Sequence, residues 1–258
     1  MHIEVLYKQS GRDQLSDVFH AHHGVMELIC IRAGRGKIFV GEQVLSFAGD
    51  TVLLIDGAAL HYICPEQGAS YLRHKLIFDK RLLCDLPSPC GGEPLLYRIP
   101  TREQMLEIER RFEALAHHHA RNAPPLLLYA QIFELLHLCI EQGDAPGAAY
   151  HGTMADVMRY IHENLAQGIT LTQVAAALHV NKFYLCRLFR RETGMTMGAY
   201  INSARIAIAK QRLRTSEESV SFIAAECGFN ELSVFTRNFK REVGMTPTEY
   251  RAQAKEEA

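Results

Sequence analysis

Hydrophobic and polar positions divide the chain into two stretches with different periods. Up to Phe78, apolar residues come in short runs separated by Gly and Asp. Met26–Ile31 is followed by a turn at Ala33–Gly36, then Lys37–Val40, a turn at Gly41-Glu42, and Val44–Phe47. Thr51–Ile55, His61–Cys64 and Tyr71–Phe78 continue the series. Short apolar runs punctuated by turn formers predict the strands of a small β-barrel or sandwich. Asp85–Glu93 carries Pro87, Pro89, Gly91 and Gly92 and reads as a loop. Beyond it the period lengthens. Thr101 opens a helix, with Gln104 completing a capping box and Met105, Ile108, Phe112 and Leu115 forming one stripe. Pro124-Pro125 starts a second helix with Leu127, Leu128, Ile132, Leu135, Leu136 and Cys139 inward. Two apolar helices after a small barrel suit a dimer contact. Gly143–Ala149 is a short flexible linker. The expected organisation is therefore a barrel over 1–85, a helical dimerisation segment over 86–142, a linker over 143–150, and a wholly helical region over 151–258.

That last region contains an internal repeat. Arg190–Thr196 recurs as Lys240–Thr246, Phe189 aligns with Phe239, Arg187 with Arg237, and Tyr200 with Tyr250. Upstream, Val174-Ala175 matches Ile223-Ala224 at an offset one residue shorter. Each copy has the pattern of a helix-turn-helix. In the first, Thr170–Leu178 is a short amphipathic helix and His179-Val180 the turn. Asn181 caps a second helix, Lys182–Thr193, which stops at Gly194. Leu185, Leu188 and Phe189 share its inner face, while Lys182, Phe183, Cys186, Arg187 and Arg190 fall mostly off it. In the second copy, Ser219–Glu226 supports a helix that begins at Asn230 or Glu231 and ends at Gly244. Phe235 and Phe239 point inward there, which leaves Leu232, Ser233, Thr236, Arg237 and Lys240 for a partner. Such a helix fits the major groove of B-DNA, where Arg can donate twice to guanine while nearby Lys and Arg meet phosphates. Met197–Arg214 joins the copies as one helix spanning roughly 25 Å at 1.5 Å per residue. That length suits two reading helices about one DNA turn, roughly 34 Å, apart.

Charge and cysteine usage narrow the class. The formal net charge is −1, but His151 to the end holds 14 Lys and Arg against 11 Asp and Glu, so the excess of cations lies in the repeat region. The seven cysteines include no Cys-x-x-Cys pair, which argues against a zinc ribbon or disulfide framework. Met1–Ser10 alternates polar and apolar residues and lacks a signal pattern, and no stretch approaches a membrane span. The expectation is a cytoplasmic protein that does not engage a membrane.

Ser221–Phe229, Phe235–Glu242 and Gly244–Arg251, with Tyr160–Asn164 and Ala209-Lys210, resemble the C-terminal signature of the AraC/XylS family of transcription regulators. The resemblance implies that Phe183, Cys186 and Arg187 meet bases from the first reading helix. Leu232, Ser233, Thr236 and Arg237 would do so from the second. It also implies double-stranded DNA and RNA polymerase as partners, a homodimer, and no enzyme activity. The fold class it implies is α+β multidomain: an N-terminal cupin-like β-barrel with two following helices, then an all-α double helix-turn-helix.

His20-Ala21-His22, Glu27 and Gly34 resemble the first cupin motif, and Gly49-Asp50, Gly57 and His61 the second, without the proline usual near Asp56. The likeness implies a divalent transition metal on His20, His22, Glu27 and His61. The other reading is a small organic effector touched by His20, His22, Glu27, Arg32, His61, Tyr62 and His74, with no resident cofactor. The three consecutive histidines His117–His119 point about 100° apart on a helix and cannot converge on one ion. The competing function is a metal-dependent cupin enzyme with a helical appendage; the matched double repeat argues against it.

Overall fold

The computed structural model describes residues 2–10, 24–57, 59–66, 70–83, 95–99, 101–142 and 153–256. The expected loop over 85–93, the linker over 143–150, and His20 and His22 therefore lie outside the described residues.

Among the described residues, eight strands make two antiparallel sheets. They are β1 (Ile3–Ser10), β2 (Val25–Ala33), β3 (Arg35–Val40), β4 (Gln43–Ala48), β5 (Thr51–Asp56), β6 (His61–Pro65), β7 (Leu72–Asp79) and β8 (Leu95–Arg98). The larger sheet has the order β1-β7-β2-β5-β8 and the smaller β4-β3-β6. Among the described residues these pairings leave edge strands and do not close a barrel, so the sheets form an open pair. Ile29, Ile31, Leu53 and Ile55 of the larger sheet meet Ile38, Val40, Leu45, Phe47 and Ile63 of the smaller across a common core. The alternate residues Met26, Leu28, Cys30, Val52 and Leu54 turn the other way, towards helices. Both faces of β2 and β5 are thus buried, which explains their unbroken apolar runs. The pattern predicts neither β1 nor β8. Both are edge strands, and β8 lies beyond residue 85, so the larger sheet draws on the segment after the loop.

Helices α1 (Arg102–Ala120) and α2 (Pro125–Gln142) cover the larger sheet. The capping box of Thr101 and Gln104 is present, and Met105, Ile108, Phe112 and Leu115 are buried. In α2, Leu128, Ile132, Leu135, Leu136 and Cys139 are buried, but Leu127 is 41% exposed. Leu127 shares its helix face with Gln131 and Glu134, and three successive leucines carry no polar residue to mark the phase.

Seven further helices follow among the described residues: α3 (Thr153–Glu163), α4 (Leu171–Ala177), α5 (Lys182–Thr193), α6 (Met197–Thr215), α7 (Val220–Glu226), α8 (Leu232–Val243) and α9 (Pro247–Glu256). Helix α6 is shared: Met197, Tyr200, Ile201 and Ala204 pack into the core of α3–α5. Ile206, Ala209 and Leu213 pack into that of α7–α9. Its apolar positions run round the cylinder because it is buried on opposite sides. No helix among the described residues is long and apolar enough to cross a membrane.

Candidate nucleic-acid interface

Each helix-turn-helix is held by its caps. In the first unit, Thr170 and Gln173 form a capping box at α4. The Asn181 side chain accepts from the N–H groups of Phe183 and Tyr184 at 2.9 and 3.2 Å, which starts α5. In the second unit, Ser219 caps α7, while Glu231 precedes α8 without a side-chain cap bond. Both reading helices end on a left-handed glycine, Gly194 at φ +75° and Gly244 at φ +86°. That conformation is costly for a residue with a Cβ. The turns match as well: His179 has φ +53° where the second copy has Gly228 at φ +86°.

Leu185, Leu188 and Phe189 of α5 and Phe235, Asn238 and Phe239 of α8 are buried. Their burial fixes which faces remain outside. Lys182, Phe183, Cys186, Arg187 and Arg190 are all exposed, Phe183 by 73%. On α8, Leu232, Ser233, Arg237 and Lys240 are exposed and Thr236 is half-buried. Tyr184 adds a second exposed ring beside Phe183, which the pattern does not single out. Lys182, Arg187, Arg190 and Arg237 form no ion pair among the described residues. Other cations of the region do, such as Arg191 with Glu192 and Lys255 with Glu217. Cations left unpaired on two matched convex helix faces are suited to an anionic partner.

Those of the expected effector and metal residues that are described separate into three places. Glu27 and His61 meet between the sheets, with His61 Nε2 3.3 Å from Glu27 Oε2. Lys75 Nζ lies 2.6 Å from the same oxygen. All three are buried, and His61 Nδ1 donates to the Ala59 carbonyl at 2.8 Å. A lysine in the middle of an apolar strand is the signal that sequence reasoning passed over. The Lys75 ammonium already meets the carboxylate's charge, and His20 and His22, the other two expected metal ligands, lie outside the described residues. Arg32 and His74 face α1 instead. Arg32 pairs with Asp50 and with Glu109 at 3.0 Å. His74 Nε2 is 3.5 Å from Glu109 Oε1 and its ring stacks on Tyr7. Burial pulls the His74 pKa down to about 4, against the opposing pull of Glu109. Tyr62 lies on the outer face of the smaller sheet. Of the three consecutive histidines, His118 bonds Gln131 and His119 bonds the Ile3 carbonyl, so α1 is tied to α2 and β1 through them.

That outer face carries the first unit. Phe39, Val44 and Tyr62 share a core with Met154, Val157, Leu185 and Phe189. The Tyr62 hydroxyl donates to the Thr193 carbonyl at 3.0 Å, and Lys37 pairs with Glu192, both at the end of α5.

Two helix-turn-helix units on one shared helix, each with an exposed basic reading face, define a DNA-binding transcription regulator. A helix-turn-helix domain family matches residues 174–253. The regulatory protein SoxS of Escherichia coli K12 is 35% identical over 96 residues, which is 37% of this chain and 90% of SoxS. MarA of Salmonella typhimurium, a multiple antibiotic resistance protein, is 31% identical over 99 residues, 38% of this chain and 78% of MarA. The HTH-type transcriptional regulator YisR of Bacillus subtilis is 29% identical over 262 residues, covering 94% of this chain and 90% of YisR. The chain belongs to the AraC/XylS family of transcription regulators.

Proposed function

We propose that this regulator binds a specific DNA sequence by laying α5 and α8 in two successive major grooves of one face. The carrying observation is the pair of matched, exposed arginines, Arg187 and Arg237, each free of ion pairs among the described residues. Helix α6 has 19 residues and so spans about 28 Å at 1.5 Å per residue. Around each arginine, Lys182, Phe183, Cys186 and Arg190, or Leu232, Ser233, Thr236 and Lys240, complete the reading face. On a duplex selected from a random pool with the full chain, Arg187→Ala and Arg237→Ala each weaken binding by about 1–3 kcal/mol and relax one base preference. No change in affinity on that duplex for either variant overturns the reading.

The reading extends to ligand response. The two sheets with their Glu27 and His61 support a cupin-like sensor, and the buried polar trio Glu27–His61–Lys75 beside the apolar core supports a small organic effector there. His61 points between the sheets while its neighbour Tyr62 holds α5, so the sensor and the reading helix are one residue apart. An effector acting there changes DNA affinity by about 1–3 kcal/mol. His61→Ala abolishes that change and keeps basal binding. The copies pair through α2, whose exposed Leu126, Phe133 and Ile140 recur at seven-residue spacing. A monomer in native mass spectrometry overturns the dimer. The family likeness supports RNA polymerase as a partner and a cytoplasmic setting.

A further inference from the structure

The two reading units meet a second time, away from the axis of α6. Arg205, in the middle of that helix, is buried between them. Its Nε donates to the Leu165 carbonyl at 2.8 Å, and its Nη2 donates to the Gln167 carbonyl. Those carbonyls close the turn after α3, in the first unit. On the other side, the guanidinium carbon lies 5.8 Å from the centre of the Phe229 ring, in the turn of the second unit. Gly228 completes the joint. A Cβ there would stand 2.7 Å from the Leu165 oxygen, 2.9 Å from Arg205 Nε and 3.0 Å from the Ala166 oxygen.

Both members of this joint depart from the internal repeat. By the offset that aligns Tyr200 with Tyr250, Arg205 corresponds to Lys255, which is exposed and pairs with Glu217 at 2.7 Å. By the offset that aligns Val174 with Ile223, Gly228 corresponds to His179, an exposed residue with a full side chain. The repeat breaks where one copy touches the other. Burying a guanidinium against carbonyl dipoles is a costly way to fill space, and an apolar side chain of similar volume would do so more cheaply. What an apolar side chain lacks is a planar fork that grips two backbone oxygens at once. Two bodies packed on one helix can rock about it; a second contact off the axis removes that freedom.

We propose that Arg205 is a positioning residue that, with Gly228, fixes the separation and phase of α5 and α8 and so sets the box spacing the regulator accepts. The test uses the full chain and the duplex it selects from a random-sequence pool, with the two contacted boxes mapped by footprinting. Versions of that duplex carry one or two extra base pairs between the boxes. Each added pair turns the second box by about 34°. The wild-type chain is expected to lose about 100-fold in affinity on the altered spacing, because one unit is forced off its box. Arg205→Ala is expected to bind the original spacing about tenfold more weakly and to lose only a few-fold more on the altered one. Arg205→Lys and Gly228→Ala, which disturb the joint from either side, should also narrow the spacing penalty. A penalty as large as the wild type's in the folded variants overturns the proposal, as does a wild-type chain that is indifferent to spacing. If Arg205→Ala fails to fold by circular dichroism, the other two variants decide by the same criterion.

Discussion

The two helix-turn-helix units share a sequence pattern but occupy different surroundings. The first is built onto the smaller sheet, and its core includes Phe39, Val44 and Tyr62. The second closes its core from α6–α9 and draws on no sheet residue among those described. One matched pair of glutamates makes the contrast concrete. At Glu192, burial works to raise the pKa, but bonds from Lys37 of the sheet and from Arg191 outweigh it, and the pKa is lowered. At Glu242, burial dominates over a bond from Ser203 and the charge of Lys210, and the pKa is raised. The same residue at the same place in the repeat is a docking point in one unit and a helix-packing residue in the other. Repetition in sequence specifies the reading element; its neighbours decide whether that element is tied to the sheets.

Four measurements sharpen or break this contrast. The largest effect is expected from the core phenylalanines. Phe239→Ala and Phe189→Ala should each destabilise by about 3–5 kcal/mol. Hydrogen exchange should show protection lost only in α6–α9 for the first variant, and in β3 and β6 as well for the second. Equal spreading from both would mean that the second unit is also coupled to the sheets.

Next comes acid. His162 of the first unit is buried beside Tyr200, with Nε2 2.7 Å from the hydroxyl, and burial lowers its pKa to about 4. An unfolded histidine titrates near pH 6.5, so between those values the unfolded chain binds the proton and the folded chain does not. Stability is therefore lost as pH falls through that window, by about 2 kcal/mol between pH 7 and 5 for this residue. His74 acts in the same direction on α1 and the larger sheet. The second unit has Arg212 or Gln211 at the matching position, so its exchange protection should resist acid better. Loss in both units alike contradicts this.

Tyr62→Phe removes one hydrogen bond to the end of α5 and should cost about 1 kcal/mol in urea unfolding. Its DNA affinity without effector should change little, and any effector response should weaken. A variant with a full response would separate the tie from signalling. The smallest effect is a gain. His179→Gly relieves a left-handed residue in the first turn and should stabilise by about 0.5 kcal/mol, read as a rise in midpoint. Gly228→Ala, at the equivalent turn, should destabilise instead because its Cβ meets the first unit.

Much of the reading apparatus was legible in the chain because it is local. Asn181, Gly194, Gly244 and the paired phenylalanines lie within a few residues of the elements they start, stop or bury. Strands β2–β7 were legible for the same reason. What stayed hidden depends on distant partners. Tyr62 bonds a carbonyl 131 positions away, and Lys37 pairs with a residue 155 positions away. No local period encodes either. The signal available was indirect: Lys37–Val40 carries Phe39 on the face opposite Ile38, and an apolar residue on the outside of a sheet needs a cover. Strands β1 and β8 were missed for other reasons: the alternation of Met1–Ser10 was weighed only against a signal pattern, and β8 lies in the segment assigned to helices. Among the site residues, Glu27 and His61 face each other between the sheets, whereas Arg32 and His74 face α1: Arg32 lies five positions from Glu27 and His74 one from Lys75, and only alternate residues share a strand face.

Strand β6 has no idle side. His61 and Ile63 answer to the space between the sheets, Tyr62 to α5, and they alternate along a five-residue strand. Most sheet strands that lie near a surface keep one face free to vary. Here each position must satisfy one audience or the other, and a change in backbone path disturbs both. Few substitutions in β6 should be neutral: those at His61 and Ile63 bear on the space between the sheets, and those at Tyr62 on its tie to α5.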